Sequence, residues 1–136
     1  MEMPPDLTWR VLDHDGFIGH MGPVALARAG ENDWRFRLDL EKRHMNMGGV
    51  CHGGVSLSLL DTGMGGAAWQ SADFARCATI QLDSHFIAAA KEGQRLEGKA
   101  WIIRRTAELA FVEGELWAGG RQTMRASGIW KYLSKG

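Results

Sequence analysis

The run Asn46-Met47-Gly48-Gly49-Val50-Cys51-His52-Gly53-Gly54 leads into a stretch of small and apolar residues in which Asp61 is the single ionisable side chain before Ala72. This order places a backbone anion site and a carboxylate on one short helix. The first amides of a helix have no partner inside it and carry partial positive charge, so an oxyanion forming there is stabilised. Glycine at that point also lets a substrate approach the backbone. A carboxylate in apolar surroundings is a stronger base than one in water. The pair suits attack on a thioester, an activated acyl group whose thiolate leaves readily, and needs neither a metal nor a Ser-His pair.

The element that positions these groups is a helix over residues 55–69. Leu57, Leu59, Leu60 and Met64 lie on more than one side of it, and a helix apolar all round belongs inside a core. Gly63, Gly65 and Gly66 each cost such a helix about 1 kcal/mol relative to alanine, which close packing of another backbone would offset. The plainer alternative is a core helix in which Asp61 is a structural hydrogen-bonding group.

Strands surround the helix. Residues 33–43 alternate, with Trp34, Phe36, Leu38 and Leu40 on one face and Arg35, Arg37, Asp39 and Glu41 on the other, the mark of a half-buried strand. Residues 17–28 read as extended, broken at Gly22-Pro23, and residues 28–33 as a hairpin turn. After the helix come strands at 78–87, 94–104, 109–118 and 122–133, with Gly119-Gly120 as a two-residue hairpin between the last two. A short helix is expected at 6–12. Small residues at Gly98, Ala100, Ala110, Gly114, Ala118, Ala126 and Gly128 are expected to leave room for the helix. The fold class is α+β, an antiparallel β-sheet wrapped around one long central α-helix, because the strands' inner faces need an apolar object to cover.

Composition limits the partners. At 136 residues the chain fits one domain, 1–136, large enough for a core without disulfides. Lys plus Arg and Asp plus Glu are both 16, so the net charge is zero and no field for nucleic acid is expected. No stretch approaches the roughly 20 apolar residues of a membrane span. Two cysteines and a start without a charged and then apolar leader point to a cytoplasmic protein with reduced thiols.

The pattern Asn46-x-x-Gly49-x-x-His52-Gly53-Gly54, with Asp61 eight residues after Gly53 and Thr79 eighteen after Asp61, resembles the hotdog-fold acyl-CoA thioesterases of the phenylacetate-pathway (PaaI-like) type. The order of elements over 17–133 is similar as well. The same fold hosts dehydratases, hydratases and non-catalytic acyl-CoA-binding modules, and only the site separates them. The Asp followed closely by His of the hydratase-type relatives is missing here, since Gly65 and Gly66 occupy that region. The resemblance implies that the Gly53 amide polarises the thioester carbonyl and that Asp61 acts as nucleophile or general base. It further implies that Asn46 holds the carbonyl or the attacking water, that His52 braces the loop, and that Thr79 positions water. No cofactor is implied, and the substrate is an acyl-CoA with an aromatic or medium-chain acyl group.

Eight residues of helix span about 12 Å, whereas a base must come within about 3 Å of its target or act through one water. Gly53 and Asp61 of one chain therefore do not serve one carbonyl. Two helices antiparallel across a two-fold axis bring the tip of one to the middle of the other, so a homodimer with shared sites is expected. The resemblance adds a pairing of dimers into a tetramer.

Four other groups are candidates for lesser roles. Gly54 accompanies Gly53 at the helix start, and Trp69, at the far end of the helix, is a candidate wall for the acyl group. Arg104 and Arg105 offer charge for coenzyme A phosphates, against the alternative of solvated strand ends. His44, Cys51 and His52 lack the spacing of a metal site, and no base is identifiable that would make Cys51 a nucleophile. Trp34, Trp101, Trp117 and Trp130 are expected in the core or at a subunit interface.

Overall fold

A computed structural model describes residues 1–133; the last three residues of the 1–136 span lie outside the described residues. The elements are β1 (Arg10–Val11), α1 (Phe17–Met21), β2 (Val24–Gly30), β3 (Asp33–Asp39), a 3-10 turn (Lys42–His44), α2 (Gly53–Ser71), β4 (Cys77–Phe86), β5 (Arg95–Arg105), β6 (Leu109–Ala118) and β7 (Arg121–Tyr132). All strands join one antiparallel sheet in the order β1-β2-β3-β5-β6-β7-β4. The sheet curls round α2, which packs against β3 through β7.

Alternation along the strands produces the core. Leu96, Gly98 and Ala100 of β5 and Ala110, Val112, Gly114, Leu116 and Ala118 of β6 are buried, facing Leu59, Leu60, Met64, Ala67 and Ala68 of α2. Gly119 and Gly120 both have positive φ, at 57° and 76°, the backbone a tight two-residue hairpin requires.

The small residues do more than make room for the helix. A Cβ on Gly114 would meet Met64 Sδ of α2 at 2.7 Å, but one on Gly98 would fall 2.0 Å from the Phe36 ring, and one on Gly128 would fall 2.5 Å from Trp130. Gly63 of α2 is likewise cut away for Phe36, with a Cβ at 2.3 Å. The helix glycines therefore admit side chains rather than a second backbone. Gly98→Ala should cost at least about 1–3 kcal/mol through overpacking, read as a fall in denaturant midpoint.

Four local expectations change. Residues 6–12 form no helix; β1 pairs with β2 instead, because the open edge of β2 satisfies the backbone of a segment that contains Trp9 and Val11. Residues 17–21 are not extended but make one helical turn, closed by Gly22 N–H donating to the Ile18 carbonyl at 2.8 Å. The strand expected over 33–43 ends at Asp39, since the Glu41 N–H donates to His44 Nδ1 at 2.9 Å and curls the chain into the 3-10 turn. Arg35 does not face solvent. It is buried, ion-paired with Asp33 at 2.7 Å, and donates to the Glu2 carbonyl of the N-terminal arm.

Candidate active site

His52 is the N-cap of α2, and its Nδ1 accepts the Gly54 N–H at 2.8 Å. That bond occupies the Gly54 amide and makes Nε2 the protonated nitrogen of the neutral ring. The Gly53 N–H, one position earlier, belongs to the first turn and has no partner within the helix. A Cβ at Gly53 would lie 2.9 Å from Cε1 of Phe86, an exposed ring that would have to turn aside to admit it.

The approach to this helix tip is rigid. Asn46 Oδ1 accepts from Gly48 N–H at 2.9 Å and from Val50 N–H at 3.2 Å. With its oxygen so engaged, Asn46 is left with its NH2 as the free group, a donor suited to a carbonyl or an oxyanion. His44 holds the loop from behind. It is 2 % exposed, accepts from Glu41 N–H at Nδ1, lies 2.7 Å through Nε2 from the Met21 carbonyl, and its own carbonyl accepts the His52 N–H at 2.9 Å. Sequence reasoning weighs His44 only for a metal and misses this bracing role. Its burial depends on contacts made more than twenty residues away.

Asp61 lies on the side of α2 that the sheet leaves open. It is half-buried rather than enclosed in the core, so the expectation of a dry site is not met within one chain. Only one side of α2 is buried, the one carrying Leu59, Leu60, Gly63, Met64, Ala67 and Ala68. Thr79 Oγ1 donates to Asp61 Oδ1 at 2.6 Å. β4 runs back along α2, with Cys77 near Gly65, Thr79 at Asp61 and Phe86 beside Gly53.

Two pockets result. The first, of about 450 Å³, is bordered by Asp61, Thr79 and Trp69, with Gly65 and Gly66 as floor and Leu26 and Trp130 among its apolar walls. Trp69 is held by an edge-on contact with Phe74, centroids 4.7 Å apart. The second pocket, of about 380 Å³, lies at the start of α2 and includes Asn46 and Gly53. Asp61, Thr79 and Trp69 thus gather in one place, and Asn46 and Gly53 in another. Arg104 and Arg105 border neither; both are exposed, and Arg105 donates to the Ser71 carbonyl at the end of α2.

The thiols are poor nucleophiles here. Burial pushes the Cys51 thiol above its ordinary value, and burial together with the charge of Asp61 does the same to Cys77. Among the described residues no three His, Cys, Asp or Glu side chains converge as a metal site, and no helix is long and apolar enough to cross a membrane.

One long helix wrapped by an antiparallel sheet, with a carboxylate on the helix's open side, defines a hotdog-fold protein. The chain belongs to the thioesterase superfamily, which matches residues 48–125, a span that holds the Gly53 tip, Asp61 and Thr79. Thioester hydrolysis is the chemistry of that class. A provisionally named esterase of Pseudomonas aeruginosa is 28 % identical over 110 residues, covering 80 % of this chain and 82 % of that one. Zebra fish thioesterase superfamily member 2 shares the fold at TM-score 0.79, with 22 % identity over 89 % of each chain. The E. coli PaaI protein from the phenylacetic acid degradation operon does so at TM-score 0.81, with 15 % identity, covering 90 % of this chain and 87 % of that one.

Proposed function

We propose that this protein is a cytoplasmic acyl-CoA thioesterase, one domain per chain, which hydrolyses an aromatic or medium-chain acyl-CoA to a carboxylic acid and free coenzyme A. The observation that carries this reading is the Asp61–Thr79 pair at the edge of an apolar pocket. Thr79 occupies Oδ1 of Asp61 and leaves Oδ2 for the reaction. In the general-base form, Oδ2 takes a proton from water and the water oxygen attacks the carbonyl carbon. The resulting oxyanion is held by the Gly53 N–H and the Asn46 NH2. Collapse breaks the C–S bond, and the proton on Asp61 passes to the leaving thiolate. In the nucleophilic form, Oδ2 itself attacks the carbonyl carbon, the C–S bond breaks to expel the thiolate and leave a mixed anhydride, and water then cleaves that anhydride, returning the Asp61 carboxylate, releasing the acid and giving up a proton to the thiolate. The apolar pocket takes the acyl group, with Trp69 as its far wall.

The site is shared between two copies of the chain. Gly53 and Asp61 lie about 12 Å apart along the helix, too far for one carbonyl. β4 is an edge strand with Ile80 and Phe86 exposed at 55 % and 60 %, and such edges invite pairing with another chain. Two-fold pairing along β4 extends the sheet, sets the two copies of α2 antiparallel and covers Asp61; two such dimers form a tetramer. Thiol release from short, medium, long and aromatic acyl-CoA esters tests the activity, and no release from any of them ends the reading. Mixing the inactive variants Asp61→Asn and Gly53→Pro tests the shared site. Random exchange makes half the dimers hybrid with one intact site each, so about a quarter of wild-type activity should return. No recovery after proven exchange overturns the sharing.

A further inference from the structure

The wall that Trp130 gives to the first pocket is apolar but for one atom. Trp130 is 2 % exposed and borders that pocket together with Gly65. Its ring is fixed at both edges, since a Cβ on Gly128 would meet Cζ3 at 2.5 Å and one on Gly65 would lie 3.0 Å from Nε1. Trp130 also pairs with Thr79 across β7 and β4, which sets the indole beside the Asp61–Thr79 pair. Among the described residues, Trp34 has the one indole N–H that finds a partner, donating to Gln70 Oε1 at 2.9 Å. That of Trp117 is sealed away without one. The Trp130 N–H also donates to nothing among the described residues, yet unlike that of Trp117 it keeps accessible surface. The absence of a side chain at Gly65 leaves it uncovered. It opens on the pocket floor, an unpaired donor at the edge of an otherwise buried ring.

Resting on the thioester reading, we infer that this N–H binds an oxygen on the acyl chain, so that the substrate is an acyl-CoA oxygenated close to the thioester. Indole nitrogen donates and does not accept, so its partner is an acceptor. An anion there would face Asp61 within one helical turn and be repelled, which leaves a neutral oxygen, a hydroxyl or a keto group. Gly65 lies one turn beyond Asp61 on α2, about 5 Å deeper along the helix. A hydrogen bond takes up about 3 Å of that. The oxygen therefore belongs on the second or third carbon, counting the thioester carbon as the first. A plain acyl chain strips water from the donor and gives nothing in return, which weakens its binding.

Thiol release from hexanoyl-CoA and from its α- and β-hydroxy derivatives tests this. Wild type should favour at least one hydroxylated ester about tenfold in kcat/KM, one hydrogen bond's worth. The ratio should fall to about twofold or less in Trp130→Phe, which lacks the N–H, and in Gly65→Ala, whose methyl covers it. A second measurement uses wild-type protein and ketone analogues of the same esters, in which a methylene replaces sulfur and no cleavage occurs. The indole N–H signal of Trp130 in the nitrogen-proton NMR spectrum, identified by its loss in Trp130→Phe or its displacement in Gly65→Ala, should move with a hydroxylated analogue and stay in place with the plain one. Equal turnover of all three esters by wild type, a preference that survives in both variants, or an indole signal that responds alike to all analogues would overturn the inference and leave the thioesterase reading standing. If the signal follows the hydroxyl but no ester is cleaved, the thioesterase reading falls and the assignment of the N–H stands.

Discussion

Asp61→Asn should lower kcat/KM for the best thioester by about 10²- to 10⁴-fold, the range expected when a positioned proton acceptor is lost. The substitution is nearly isosteric. The amide oxygen of the asparagine side chain still accepts the hydrogen bond that Thr79 Oγ1 now gives to Asp61 Oδ1 at 2.6 Å, so the strand and helix keep their contact and the melting temperature should stay within a few degrees. What disappears is the basic second oxygen. Steady-state kinetics on purified protein, with thermal unfolding alongside, separates chemistry from folding. Near-normal turnover in the variant would remove Asp61 from the mechanism.

Gly53→Pro should reduce kcat by about 10²- to 10³-fold, as expected on removing one oxyanion donor. Proline suits the first position of a helix, where the missing N–H breaks no helical bond, so the loss falls on the group aimed at the substrate. Proline also introduces a Cβ, and at residue 53 that atom meets the Phe86 ring at 2.9 Å. Gly53→Ala supplies the control, because it adds the same Cβ and keeps the amide. The ring is 60 % exposed and free to swing aside, so the alanine variant should retain most activity. Equal losses in the two variants would assign the effect to crowding and sink the oxyanion role.

Much of this architecture is legible in the chain because it rests on local periodicity. Trp34, Phe36 and Leu38 of β3 and the alternating residues of β5 and β6 declare their buried faces, and Gly119-Gly120 announces its turn. The positions of Gly53 and Asp61 on α2 follow from glycine placement and one isolated acid. What local pattern does not contain is the identity of distant partners. Arg35 alternates as if solvated, yet Asp33 and the N-terminal arm bury it. His44 becomes a brace through the Met21 carbonyl. The openness around Asp61 escapes the pattern for a related reason. An apolar helix reads as enclosed, but one chain's sheet covers only one side of it.

Phe36 is wedged between Gly63 and Gly98, with a methyl at either glycine falling 2.3 Å or 2.0 Å from its ring. These three positions, on a helix and two paired strands, are bound to a common fate. Neither glycine can drift to a larger residue unless the ring shrinks first or at once, so the effects of such changes are non-additive. Phe36→Leu should therefore rescue Gly98→Ala, and lineages diverging from this chain should exchange the trio as a block.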